Sequence, residues 1–230
     1  MRRSVFLALT LCVGLALGAA TRTAPAESPC TDPPEPEPAE LLYEQTFDFA
    51  DAIVGLPYNS SSHRVLADDF ELDEAATLDR VVIWGIFNVQ QDVSDYMVWL
   101  YADSGGMPTG GPLDSAFIGI NDITFTDTGY AFGTATIWKI DMPFQPGDEF
   151  DLDAGTRYWF AVQAQYPYTC YWVCQAHDIY EMAVYSTDDG SSWEDTHDAF
   201  DYDCDVFIEL HGDFHPGVNE SSWGEVKAAF

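Results

Sequence analysis

The chain is 230 residues long and carries 39 acidic against 8 basic side chains, a formal net charge of −31. This charge argues against binding to nucleic acid or to anionic membranes, because both require a cationic protein surface. Hydrophobic residues make up 47% of the sequence and aromatic residues 15%, which excludes a disordered acidic polymer and predicts a folded core.

The first twenty residues have the parts of a cleavable signal peptide. A basic start is followed by an apolar run at 5–17 that is too short to span a bilayer, and then by small residues at 18–20. The pattern predicts cleavage after Ala20, or after Gly18. It also predicts a secreted protein or one at the extracellular surface, with no membrane insertion once the signal is removed.

The two ends of the mature chain differ from its middle in composition. Residues 21–40 are rich in proline and glutamate and predict an extended linker or stalk, or a disordered tail without a role of its own. Residues 215–230 predict a tail with a short helix. Ser222 would cap this helix and Glu225 would complete a capping box.

Between residues 41 and 214 the sequence alternates with a period of two. Runs rich in β-branched and aromatic residues predict strands at 80–84, 95–101, 134–140, 157–162, 181–185 and 205–210. Turn signals separate them at 103–106, 110–112, 145–148, 153–155 and 188–190. Many short strands at this spacing predict one all-β domain, a two-sheet antiparallel β-sandwich with the topology of a jelly roll.

Five stretches of this domain carry a recognisable series of strand openings and turns, at 67–72, 78–85, 101–108, 154–159 and 207–214. Together they resemble a class of exported bacterial β-sandwich domains in which the module often lies beside a surface-anchoring tail. The resemblance covers most of residues 65–214. It implies the fold and the export of the protein, and it supplies no catalytic residues.

The cysteines are consistent with an exported protein. Removal of the signal would take Cys12 away and leave Cys30, Cys170, Cys174 and Cys204. This even number predicts two disulfides, with three conceivable pairings. In one, Cys170 pairs with Cys174 across a tight turn and Cys30 ties the linker to Cys204. In another, Cys204 is crosslinked to the loop that contains Cys170 and Cys174, and Cys30 pairs elsewhere or not at all.

Known catalytic motifs are absent from the sequence. It has no Gly-x-Ser-x-Gly elbow, no His-Glu-x-x-His pair, no phosphate loop and no dinucleotide fingerprint, and its five histidines are scattered. We therefore predict a protein that is not an enzyme and requires no cofactor. A polysaccharide hydrolase remains an alternative, because it needs only two carboxylates, which no sequence pattern can exclude.

Calcium is the metal that the acidic turns would suit, because they supply the carboxylate and carbonyl oxygens that this ion prefers. The tightest cluster is Asp201, Asp203 and Asp205, which would face one side of an extended strand. Two looser clusters combine Asp68 and Asp69 with Asp73, and Asp188 and Asp189 with Asp195 and Asp198. The interpretations are a structural calcium site or acidic loops solvated by water.

A carbohydrate would be recognised through aromatic side chains. Trp159 lies in a strand whose same-phase positions include the amides of Gln163 and Gln165. A sugar ring uses such a face, because its C–H groups stack on the indole while its hydroxyls pair with amides. The aromatic loop that follows this strand adds Tyr168 and Trp172. These five residues are the predicted ligand contacts; the alternative is that a second sheet or a loop packs on the indole.

These observations predict a secreted or cell-surface, non-catalytic β-sandwich module. It would bind a partner, with a carbohydrate favoured over a surface protein, or serve as an extracellular structural part. The alternatives are an exported polysaccharide hydrolase and a purely structural or adhesive surface component. A hydrolase requires two carboxylates roughly 5 to 9.5 Å apart in a cleft. A binding module requires an exposed aromatic platform, and a structural component requires neither.

Overall fold

A computed structural model describes residues 39–45, 49, 53–87, 95–176, 182–201 and 203–215. All of them belong to the unit that runs from Pro38 to Phe230. The predicted signal peptide, almost all of the linker, Cys30 and the helix of the C-terminal tail lie outside these residues. No helix in the described part of the chain is long and apolar enough to cross a membrane.

The described residues form fifteen strands and one short α-helix. In chain order the strands are β1 Glu40–Gln45, β2 Ile53–Pro57, β3 Val65–Glu71, β4 Ala76–Phe87, β5 Asp95–Asp103, β6 Pro108–Ile118, β7 Thr124–Phe132, β8 Ala135–Pro143, β9 Phe150–Leu152, β10 Arg157–Gln165, β11 Tyr171–Ala176, β12 Val184–Ser186, β13 Glu194–Asp195, β14 Cys204–Val206 and β15 Ile208–Phe214. The helix, α1, is Thr196–Phe200.

The strands form two antiparallel sheets, which confirms the predicted fold class. The larger sheet has nine strands and contains the order β1–β15–β4–β8; the smaller has six and contains β3–β10–β5–β6. Numbered along the chain, these eight strands run 1-8-3-6 in one sheet and 2-7-4-5 in the other, which is the jelly-roll order. The remaining strands extend these sheets: β2, β7, β9, β11 and β14 in the larger, β12 and β13 in the smaller.

The core between the sheets follows from the period of two in each strand. Along β10, Tyr158, Phe160 and Val162 point inwards and belong to the large inter-sheet cluster. Alternate residues of a strand point to opposite faces, so Trp159 and Ala161 lie on the outer face. There they belong to a second buried cluster. Both faces of β10 are therefore packed.

The outer face of the nine-stranded sheet is also covered. Val82, Trp84 and Phe207 belong to a third buried cluster, against which Phe49 packs. The ring of Phe49 stacks on that of Phe207, with centroids 5.2 Å apart. Lys139 lies over the indole of Trp84, 5.0 Å from the ring centroid. Apolar burial thus extends beyond the inter-sheet core on both sides of the sandwich.

The structure departs from the predicted elements in two places. The turn predicted at 110–112 lies inside β6, where the pairing with β5 shifts register and Gly110 takes a positive φ of 70°. Glycine allows this conformation without a steric cost, so the chain bulges there and does not reverse. The helix α1 was not predicted. It is capped by the carboxylate of Asp195, which accepts a hydrogen bond from the backbone N–H of Asp198 at 2.7 Å.

Candidate ligand-binding face

The outer face of the six-stranded sheet carries three of the predicted contacts. On β10, Trp159, Gln163 and Gln165 share a phase and therefore point the same way. In the cross-strand register, Trp159 lies opposite Tyr101 of β5, and Gln163 lies opposite Met97 of the same strand. The sequence therefore placed these three side chains on one face correctly.

Trp159 is not an exposed platform, and the alternative, a loop that packs on the indole, is the arrangement found. Its side chain is only 2% exposed and packs in a cluster with Tyr101, against which Met107 and Trp193 also pack. The indole N–H donates a hydrogen bond of 2.9 Å to Oδ1 of Asp103. The reason is that the segments around Met107 and Trp193 fold over this part of the sheet and exclude solvent from the ring.

Gln163 holds one of these covering segments in place. Its amide N–H groups donate to the backbone carbonyl of Arg64 at 3.2 Å and to Oδ1 of Asp189 at 3.0 Å. Its carbonyl accepts a hydrogen bond of 3.0 Å from the amide of Gln165. Gln163 is 4% exposed, so its polar groups are committed to the fold, whereas Gln165 is partly exposed and can be reached from solvent.

Trp172 and Tyr168 lie elsewhere. Trp172 is fully buried on β11, in the core between the sheets, and its indole N–H donates to the carbonyl of Phe207 at 2.8 Å. Tyr168 is 65% exposed in the loop after β10, with its ring edge-on to that of Tyr166. The predicted five-residue ligand site is therefore not assembled, because Trp172 belongs to the other sheet and faces inwards.

An aromatic surface that the sequence reasoning missed lies beside Trp159. Met97 and Trp99 of β5 point outwards and are partly exposed, opposite Phe117 and Ser115 of β6. Phe117 is 53% exposed. We name Met97, Trp99, Ser115, Phe117 and Gln165 the β5–β6 patch. The signal for it was present in the alternation of 95–101, which puts Met97 and Trp99 in the phase that faces away from the core.

A small pocket occupies the opposite side of the same face. It has a volume of about 220 Å³ and is lined by Asp69, Arg157, Trp159 and Asp195, among others. The guanidinium of Arg157 lies 3.4 Å from Oδ2 of Asp69, measured from Nε. This Arg157 pocket is polar and contains both signs of charge. The carboxylates that line it already have protein partners.

The nine-stranded sheet has a larger and more apolar pocket. Its volume is about 350 Å³, and its lining includes Val54, Ile86, Phe132 and Tyr171. Phe132 and Tyr171 are 47% and 39% exposed. Among the described residues that line it, the polar side-chain groups are the hydroxyls of Thr169 and Tyr171. It has no amide comparable to that of Gln165 in the β5–β6 patch. It offers an apolar surface with little to orient a sugar.

The predicted calcium ligands Asp201, Asp203 and Asp205 are not brought together. Asp201 ends α1 in the left-handed conformation, and β14 begins only at Cys204, so the three do not share one extended strand. Asp203 pairs with Nδ1 of His197 at 2.9 Å, whereas Asp205 is buried. Within the described ranges, no three acidic, histidine or cysteine side chains are placed to share a metal ion.

The other two acidic clusters are parts of the fold. Asp188 accepts hydrogen bonds from the hydroxyl of Ser192 at 2.7 Å and from its backbone N–H at 2.8 Å. These bonds, followed by one from the hydroxyl of Ser186, lower the pKa of Asp188 below its usual value. Asp68 and Asp69 are consecutive in β3 and point to opposite faces of the sheet, so they cannot share an ion.

Asp68 is a buried carboxyl on the inner face of β3. Its Oδ2 accepts hydrogen bonds from the amide of Gln45 at 2.8 Å and from the backbone N–H of Val206 at 2.9 Å. Burial raises the pKa of Asp68 well above its usual value, and the nearby charge of Asp205 raises it further. The hydrogen bonds make the buried group tolerable, and they tie β3 of one sheet to β14 of the other.

The cysteines of the described chain are free thiols in this structure. Of the pairings left open, a Cys170–Cys174 disulfide does not fit the structure, because β11 runs extended from Tyr171 onwards and four residues span about 13 Å. A disulfide bridges Cα atoms no more than about 7 Å apart. Cys170 is instead buried against the hydroxyl of Tyr58, and burial raises its pKa to about 12.

Comparisons with known proteins identify no family. No protein-family model and no curated protein matches the chain. Among solved structures, the cysteine protease and lectin-like domains of Cwp84, a surface layer associated protein of Clostridium difficile, align at 12% identity and a TM-score of 0.42, over 66% of this chain and 32% of that one. The clostridial cysteine protease Cwp84 after propeptide cleavage aligns at 14% identity and a TM-score of 0.41, over 71% and 38%. A likeness at this level does not bear on function.

Proposed function

We propose that this protein is a secreted or cell-surface, non-catalytic module that binds a glycan through the β5–β6 patch. The observation that carries this proposal is that a partly exposed Trp99 and an exposed Phe117 lie on one sheet face, at diagonal positions of the β5–β6 pair. The rings sit on neighbouring strands, so their positions are fixed by the sheet and not by a loop.

The chemistry of the patch suits a sugar better than a purely apolar ligand. The C–H faces of a sugar ring pack on aromatic rings, while its hydroxyl groups need hydrogen-bond partners at the edge. Ser115 lies opposite Trp99, and Gln165 is partly exposed at the end of β10. A hydroxyl and an amide therefore flank the rings.

The charge of the protein narrows the class of glycan. A net charge of −31 repels polymers that carry sulfate or carboxylate groups, and it is compatible with neutral or amine-bearing sugars. We therefore infer a neutral or cationic polysaccharide as the ligand.

Two pockets bring carboxylates together: Asp69 and Asp195 line the Arg157 pocket, and Glu71, Asp73 and Glu74 line one of about 290 Å³. In the Arg157 pocket each acid already has a structural partner, since Asp69 pairs with Arg157 and Asp195 caps α1. The three acids of the second pocket are exposed to solvent, which gives them no water-excluded cleft. A general acid or nucleophile must be able to exchange protons or attack a substrate. For this reason we favour binding without catalysis.

The test is a screen of the full chain on an array of neutral, cationic and anionic glycans, with calcium and with a chelator. Trp99→Ala should weaken binding of the selected glycan at least roughly tenfold, because removing a central aromatic contact costs more than about 1.4 kcal/mol. Phe132→Ala is the matched control, since it removes an exposed aromatic ring from the nine-stranded sheet.

The outcomes separate the competing functions. Binding that is lost in Phe132→Ala and kept in Trp99→Ala would move the site to the nine-stranded sheet and refute the patch. Cleavage of a bound glycan that disappears in Asp69→Asn would establish the hydrolase. If no glycan binds under either condition, the structural or adhesive alternative replaces the binding module.

A further inference from the structure

Two of the buried cysteines, Cys174 and Cys204, are neighbours across a pair of strands. Cys174 of β11 lies opposite Val206 of β14, and Cys204 lies opposite Ala176, so the two cysteines occupy diagonal positions of one antiparallel pair. Positions two residues apart share a face. Both cysteines are accordingly buried in the inter-sheet core.

The side chains of these cysteines are neighbours in the core. The thiol of Cys174 donates to the carbonyl of Trp172 at 3.3 Å. Burial raises the pKa of Cys174 well above its usual value, and interaction with the thiol of Cys204 raises it further. Diagonal neighbours in an antiparallel pair are about 7 to 8 Å apart, slightly beyond the Cα separation of about 7 Å that a disulfide spans, so a small movement of one strand is needed. The strand β14 has only three residues, so it can adjust to the required geometry more easily than a long central strand.

The chain between the two cysteines is an excursion that leaves one sheet and returns to it. Residues 175–203 contain β12, β13 and α1, and they also carry Trp193. Strand β12 pairs with β3 of the six-stranded sheet, whereas β11 and β14 belong to the nine-stranded sheet. Near its base, the backbone N–H of Ala183 donates to the carbonyl of Cys204 at 3.0 Å.

We propose that Cys174 and Cys204 form a disulfide that closes the base of the 175–203 excursion. In this step each thiol gives up its proton, an Sγ–Sγ bond forms, and two electrons pass to a disulfide-containing oxidant. That oxidant, a protein or small-molecule disulfide, is reduced to two thiols. Such oxidants act outside the cytoplasm, where the signal peptide is expected to send this chain.

The order of events follows from burial. A thiol reacts as its thiolate, and the apolar core suppresses the thiolate form. The bond therefore forms while β14 is still docking, and the finished core then shields it from reductants. Cys170 has no cysteine neighbour among the described residues and remains a thiol beside Tyr58. This inference does not depend on glycan binding.

Peptide mapping of the wild-type full chain tests the bond without any substitution. The protein is folded in the presence of oxidised and reduced glutathione, alkylated under denaturing conditions without reductant, digested and analysed by mass spectrometry. The expected product is a linked peptide pair containing Cys174 and Cys204, with Cys170 alkylated. Alkylation of both Cys174 and Cys204, or a link from either to Cys30, would overturn the proposal.

Thermal unfolding supplies a second measurement. A bond closing a loop of this length raises the Tm by roughly 10 °C in a domain of this size. Wild-type protein that is reduced in denaturant, where the core no longer shields the bond, and refolded with reductant should therefore have a Tm lower by about that amount. Cys170→Ser should keep this response to reductant, whereas the double variant Cys174→Ser, Cys204→Ser should lose it. An equal response in the wild type and the double variant would contradict the proposed pairing.

Discussion

The outer face of the six-stranded sheet has a covered half and an open half. Trp159 of β10 and Trp99 of β5 lie on neighbouring strands and point the same way, yet the first is 2% exposed and the second is partly exposed. Met107 and Trp193 pack over the cluster that contains Trp159, and Trp99 packs against the same cluster while part of it stays exposed. The alternation of a strand thus decides which face a side chain takes, whereas distant segments decide whether that face meets solvent.

The largest difference between the halves should appear in stability. Trp159→Ala should lower the free energy of unfolding by roughly 3 to 5 kcal/mol, because it leaves a cavity and removes the indole partner of Asp103. Trp99→Ala is the control on the open half and should cost less than half as much. Urea unfolding monitored by tryptophan fluorescence measures both. Equal losses would mean that the two rings are equally buried in solution.

A smaller loss of stability is expected when the amide of Gln163, which anchors the segment covering Trp159, is removed. Gln163→Leu should lower the free energy of unfolding by about 1 to 3 kcal/mol, because it leaves Asp189 and the carbonyl of Arg64 without this donor. It should also speed amide hydrogen exchange at 188–193. Gln165→Leu removes the neighbouring, more exposed amide and should leave exchange there unchanged. If both variants behave alike, Gln163 does not anchor the covering segment.

Asp68, on the inner face of the same sheet, should make the stability of the protein depend on pH. Burial raises the pKa of Asp68 above its value in the unfolded chain, so the native state holds this proton more tightly. Its contribution to stability is complete below the unfolded-state pKa and is lost as the pH rises through the folded-state pKa. Asp68→Asn cannot titrate, so its Tm should gain less than the wild-type Tm on acidification.

This effect is the smallest of the three, and it is measured as a difference in slope. Thermal melts of both proteins from pH 7.5 down to pH 4.5 give the two slopes, and Asp69→Asn on the outer face serves as control. Parallel curves for the wild type and Asp68→Asn would show that Asp68 has an ordinary pKa in the folded protein.

The sequence was sufficient to predict strands of the two sheets, but not to predict which sheet faces are buried by other segments of the chain. Alternation at 157–162 and 95–101 predicted two strands, and both are present with the expected phases. The burial of Trp159 depends on Trp193, which is far away in the chain and reaches it only through the fold. No local pattern carries that information, so alternation alone does not distinguish the buried Trp159 from the partly exposed Trp99.

The cysteines show the same limit. The spacing is compatible with a Cys170–Cys174 bridge across a tight turn or with a crosslink from Cys204 to this segment, and the extended strand between the first two rules out the turn. The diagonal placement of Cys174 and Cys204 depends on the pairing of β11 with β14. Such a pairing between strands separated by a long excursion is a property of the whole fold, and the spacing of cysteines does not encode it.

The excursion at 175–203 is separate from the strands that form the jelly roll. It hides Trp159, but the eight jelly-roll strands lie outside it, so its length can change while the sandwich stays intact. A shorter version would expose a second tryptophan next to Trp99 and lengthen the aromatic surface along the sheet. A deletion in this one surface segment would therefore change the exposed surface of the six-stranded sheet without requiring a new fold.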